Sequence, residues 1–110
     1  MMNTEQASLT VRQRGAELVF CLHGEIDHHA ARRLRERMDE EIVRRPVERV
    51  RFELSDVKFM DSAGLGLILG RLAVAREVGC TLLLTGADAR MRRIFDMAGL
   101  ERVKGLTLEA

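Results

Sequence analysis

Asp61 and Ser62 stand side by side in the run KFMDSAGLGLILGR, residues 58–71. An acid next to a hydroxyl suggests two chemistries: a nucleophilic serine, or a serine that accepts a transferred group. The nucleophile reading lacks its supports. DSAG is not the GxSxG elbow that exposes a catalytic serine, and no base in the sequence is committed to Ser62. A phosphate-cradling GxxxxGK[ST] loop is missing too. The histidines, His23, His28 and His29, have no HExxH or CxxC companions, so they form no metal set and read as exposed residues at a helix start. Asp27, Asp56 and Asp61 are each explained by a cap or a turn. An enzyme is therefore not expected, and neither is a cofactor or a metal.

Acceptance of a phosphoryl group remains. Ser62 falls where an extended segment hands over to a helix, a place where Asp61 or Ser62 can cap free backbone N–H groups. A phosphoserine adds about −1.5 to −2 of charge. The positive end of a helix dipole tolerates that charge, so the fold should survive modification. The surface would not stay the same. A small hydroxyl becomes a bulky dianion beside Asp61, and a partner packed over it would be expelled.

The residues behind Ser62 bear on such a partner. Glycine in a helix costs about 1 kcal/mol relative to alanine, yet Gly64, Gly66 and Gly70 follow in quick succession. Ser62, Gly66 and Gly70 climb one ridge at four-residue steps with Ala73 beside them, while Leu65, Ile68, Leu72 and Ala75 gather on another side and are expected to face the core. The bare ridge is either a close contact with the chain's own sheet or a flat docking strip. Spacing alone leaves both open.

The surrounding elements must position this segment. LTVRQR (9–14) alternates apolar and polar residues, Gly15 and Ala16 allow a turn, and ELVFCLHG (17–24) is a denser apolar run, which together predict a hairpin. From His28 to Arg45 a charged segment carries Ala31, Leu34, Met38 and Ile42 as one apolar stripe. Arg32–Glu36, Arg35–Asp39, Arg37–Glu41 and Glu40–Arg44 stand at ion-pairing distance along it. Asp27 suits its N-cap and Pro46 its end. VRFEL (50–54) is the next strand, SDVKFM leads into the serine segment, and the helix behind it should end near Gly79. TLLLTG (81–86) reads as a buried strand. ADARMRRIFDMAG (87–99) predicts a helix with Met91, Ile94, Phe95 and Ala98 inward and Gly99 as its stop. A last strand is expected from Arg102 to Leu108. Strands alternating with helices predict an α/β domain whose sheet is covered by helices.

Composition excludes several classes. The 110 residues suit one domain, placed at 1–110. A net charge of +1 gives no electrostatic case for nucleic acid or a membrane surface. Arg90, Arg92 and Arg93 read as solvated surface. No run approaches the roughly 20 apolar residues of a membrane span, and MMNTEQAS has no secretory character, so a cytoplasmic location is expected. Four Phe are the only aromatics among Phe, Trp and Tyr, so the core must be aliphatic. Cys21 and Cys80 are expected as separate buried thiols.

FMDSAGLGLILGR, GEID before the first helix and MRRIFDMAGL near the end resemble the anti-sigma factor antagonists of the STAS domain family. The resemblance spans nearly the whole chain. DSxGLG is common to the family, whereas ILGR and FDMxGL favour its sporulation branch, the anti-sigma F factor antagonists. The resemblance implies a small mixed β-sheet flanked by α-helices. It implies partner switching: the bare protein binds an anti-sigma factor that is also an ATP-using serine kinase, which frees a sigma factor. Phosphorylation on the DSxG serine, here Ser62, ends binding, and a serine phosphatase restores it. Asp27 matches the family's acidic position beside the phosphorylation loop. Asp61, Ser62, Ala63 and Gly64, with Gly66 and Gly70, fall on the implied partner surface. Many relatives read DSSG; Ala63 removes the second hydroxyl and any ambiguity about the acceptor. A monomer is expected. A general-stress module with another kinase, or an accessory STAS subunit on a membrane transporter, is the alternative.

Overall fold

The computed structural model describes residues 6–109. Strands β1 (Ser8–Arg14) and β2 (Glu17–Ile26) form the antiparallel hairpin across Gly15, whose φ of +61° suits a residue without a Cβ. Helix α1 (His28–Arg44) leads to β3 (Arg49–Met60), then α2 (Ser62–Glu77), β4 (Thr81–Thr85), α3 (Ala89–Met97), a 3-10 turn at Leu100–Arg102 and β5 (Leu106–Leu108). The sheet order is β1-β2-β3-β4-β5, and every pair after the first is parallel. This is the mixed sheet of an α/β fold. Each of the three parallel steps needs a crossover, which α1, α2, and α3 with the 3-10 turn supply in turn.

One face of the sheet makes the core. Leu18, Phe20 and Leu22 of β2, Val50, Phe52 and Leu54 of β3, and Leu82 and Leu84 of β4 are all buried. Phe20 and Phe52 are register partners and meet edge to face, centroids 5.4 Å apart. The alternate residues point the other way. There Glu17 accepts from Arg49 Nε at 2.9 Å and from Arg51 Nε at 3.1 Å.

Several expectations need correction. Strand β3 does not stop at Leu54 but runs on to Met60, because pairing with β2 continues through bulges to Ile26↔Met60. The α1 stripe is Ala30, Leu34, Met38 and Ile42; Ala31 is only partly buried, so the helix is turned slightly from the phase expected. In α2 the buried set is Gly64, Leu67, Ile68, Arg71, Leu72 and Ala75, with Leu65 at its margin. In α3 Met91 and Phe95 are buried, Ile94 is half-buried and Ala98 is exposed beyond the last turn. Gly99 does take the left-handed stop, at φ +73°. Cys80 is buried, its thiol donating to Val47 O at 3.0 Å, and burial raises its pKa. Cys21 is half-buried on the strand face opposite the core.

None of the four expected i,i+4 ion pairs forms among the described residues. Such pairs contribute only about 0.2–0.5 kcal/mol, so other partners take their members. Glu41 contacts Arg44 and Arg45, and Asp39 reaches Arg71 on the neighbouring helix. His28 and His29 do open α1. His23 instead lies within β2, its Nδ1 3.3 Å from Asp56 Oδ2 on β3, so Asp56 is neither cap nor turn.

Candidate functional site

Strands β2 and β3 end level with each other and enter their helices in the same way. Ile26 and Met60 are register partners. The next residue in each chain segment is an aspartate with extended backbone: Asp27 at φ −101°, ψ −173° and Asp61 at φ −105°, ψ −168°. Asp27 Oδ1 accepts from Ala30 N at 3.0 Å. Asp61 Oδ1 accepts from Ala63 N at 2.9 Å and Gly64 N at 3.2 Å. Two helix mouths, each closed by a carboxylate, therefore sit together at one edge of the domain. The hydrogen bond from Ala30 N holds the Asp27 carboxyl below its ordinary pKa, with help from His29 and His28. A positive helix end favours a nearby anion in the same way.

Asp61 is the cap, so Ser62 has no capping duty. Ser62 is the first residue of α2 and is exposed. The capping bonds at this helix mouth come from the Asp61 side chain. The hydroxyl is left facing solvent beside an ionisable acid and two partly positive helix ends.

The three glycines have different surroundings. At Gly64 a Cβ would lie 2.5 Å from Met60 Cγ, 2.9 Å from Ile26 O and 3.2 Å from Ile26 Cγ2. Gly64 is buried and lets the first turn of α2 press against the end of β2. At Gly66 and Gly70 a Cβ would meet nothing within 4 Å. Gly66, Ser62 and Ala73 are exposed and Gly70 is half-buried. The ridge behind Ser62 thus faces away from the sheet, and the question its spacing left open resolves toward an open strip. Ala63 lies beside it, half-buried.

The sequence does not single out Arg71. It belongs to the buried side of α2, yet it is an arginine, and it contacts Asp39 Oδ1 at 2.7 Å. Its spacing from Leu67 and Ile68 was the available signal, since a charge four and three residues from two core leucine-type positions must share their face. Arg90 and Arg93 are exposed on α3, with Arg92 half-buried. Among the described residues no group of His, Cys, Asp and Glu is arranged to hold a metal ion, and no helix is long and apolar enough to cross a membrane.

The STAS domain family model matches residues 8–109. The chain is 38% identical over 86 residues to the anti-sigma F factor antagonist of Paenibacillus polymyxa, covering 78% of this chain and 74% of that protein. It is 31% identical over 96 residues to the anti-sigma-B factor antagonist of Bacillus subtilis (strain 168), covering 87% and 86%. Among solved structures, the Bacillus cell fate determinant SpoIIAA in its phosphorylated form superposes with a TM-score of 0.72 at 27% identity, covering 94% of this chain and 92% of that one.

Proposed function

Because this chain belongs to the STAS domain family, we propose that it is an anti-sigma factor antagonist that works by partner switching through Ser62. The bare form binds an anti-sigma factor serine kinase and so releases a sigma factor. The kinase then transfers phosphate from ATP. The Ser62 oxygen bonds to the γ-phosphorus, the bond to the β-γ bridging oxygen breaks, the hydroxyl proton leaves to a base or to water, and ADP departs. A serine phosphatase hydrolyses the ester and resets the protein. The chain is a substrate and a ligand in this cycle, and it acts as a monomer in the cytoplasm.

The observation that carries this reading is the exposed Ser62 at the first position of α2, relieved of capping by Asp61. The helix can keep its cap whether or not the serine is modified, and the helix end favours an anion there. The similarity to a phosphorylated relative supports a fold that persists with phosphate in place. The ester places its charge where the open ridge of Gly66 and Gly70 begins, so it repels a docked protein without unfolding the domain. Asp27, Asp61, Ala63 and Gly64 shape the acceptor's mouth. The sporulation sigma F branch is the specific assignment, supported by the P. polymyxa relative.

Mass spectrometry after incubation with the kinase and ATP tests the site. Phosphate on Ser62, and none in Ser62→Ala, is expected. Phosphate on Ser55 or Thr81 would overturn the assignment.

A further inference from the structure

The groove between α1 and α2 holds a guanidinium that is not fully used. The Arg71 side chain is 6% exposed. Its Nε touches Asp39 Oδ1 at 2.7 Å, but without the alignment of a hydrogen bond, and both Nε and Nη1 are buried with no acceptor. A guanidinium offers five N–H donors, and buried donors are nearly always matched. Arg71 lines a groove of about 290 Å³. Ala63, Gly66 and Gly70 line it with Leu67 on the α2 side, and His28, Arg32 and Arg35 line it from α1. No carboxylate lines it. Arg32 and Arg35 are exposed, and among the described residues neither makes an ion pair; the acid expected for Arg35, Asp39, contacts Arg71 instead. Burial lowers the Arg71 pKa, the nearby Asp39 opposes that, and the Arg35 charge adds to the lowering.

We propose that this groove receives a carboxylate side chain of the kinase, held by Arg71, Arg35 and Arg32. The proposal rests on the partner-switching reading for the identity of the partner. Arginines around a lining of mostly small residues suit the planar, bidentate geometry of a carboxylate. The phosphate on Ser62 does not fill it. Ser62 and Arg71 are nine positions apart on one helix, about 13.5 Å along its axis. The groove opens on the ridge that starts at Ser62, so a protein lying along that ridge brings its acid within reach.

The test measures binding of the unphosphorylated chain to the kinase with ADP. R32E/R35E should lose about tenfold or more, since like charges facing across an interface are costly. R90E/R93E, the same charge change at exposed positions of α3, should stay within about twofold. Arg35→Gln should show part of the loss, and circular dichroism should show all three folded. Replacing one Asp or Glu of the kinase by Lys should restore binding to R32E/R35E. The proposal is overturned if R32E/R35E binds like the parent, or if R90E/R93E loses as much. The two readings fail separately. Equal binding of the bare and phosphorylated parent sinks partner switching, whereas a difference there with R32E/R35E unaffected sinks only the groove.

Discussion

Exchanging Gly64 and Gly66 for alanine separates two kinds of helix glycine only two positions apart. At Gly66 the new methyl group meets nothing within 4 Å. Only the propensity difference acts, and Gly66→Ala should stabilise by up to about 1 kcal/mol. At Gly64 the same gain is opposed by contacts at 2.5 Å to Met60 Cγ and 2.9 Å to Ile26 O. Met60 can rotate away, but the carbonyl of Ile26 belongs to β2 and cannot move without disturbing the sheet. Overpacking of this kind costs about 1–3 kcal/mol, and the backbone contact puts Gly64→Ala at the upper end. The net expectation is a loss of about 2 kcal/mol for Gly64→Ala. The two variants should therefore differ by about 3 kcal/mol, from the propensity and overpacking values together. Urea unfolding reads this directly as a shift of midpoint at constant m. Equal midpoints, or a Gly66→Ala less stable than the parent, would refute the assignment of Gly64 to close packing and Gly66 to open surface.

Asp61→Ala removes the acceptor for two backbone N–H groups and should cost about 0.5–2 kcal/mol by the same unfolding assay. Gly66→Leu should stay within about 0.5 kcal/mol of the parent in stability while weakening kinase binding; calorimetry of the two species together checks both. Asp27 has a lowered pKa in the folded state, so its ionised form adds stability above the unfolded-state value and loses it as pH falls through the folded value. Asp27→Asn should therefore unfold with a shallower dependence on pH below about 4, measured by melting temperature across acid buffers. Ser62→Asp should stay folded and bind the kinase weakly, whereas Ser62→Ala should bind and resist inactivation, as gel-shift assays with ADP and then ATP would show.

Much of this architecture is written locally. The turn at Gly15, the Asp27 cap and the left-handed stop at Gly99 each follow from one residue's own chemistry, and each is found in place. The geometry around Ser62 was legible to the same extent. An acid, a hydroxyl and a glycine ridge at a helix mouth can be read from spacing alone. What local pattern could not supply was competition between distant parts. Ala30 and Ala31 are equally apolar, so only packing of α1 against its neighbours sets which one turns inward. Asp39 has Arg35 four residues away but binds Arg71 across the helix pair. Gly64 and Gly66 look alike in sequence, and the carbonyl of Ile26 that tells them apart lies 38 positions upstream of Gly64. His23 and Asp56 meet only because β2 and β3 pair in parallel register.

The most direct measurement compares the affinity of the kinase, loaded with ADP, for the bare chain and for the chain phosphorylated on Ser62, both verified as folded. The account predicts that the phosphorylated form binds at least about tenfold more weakly, a difference of about 1.4 kcal/mol. Indistinguishable affinities would contradict it.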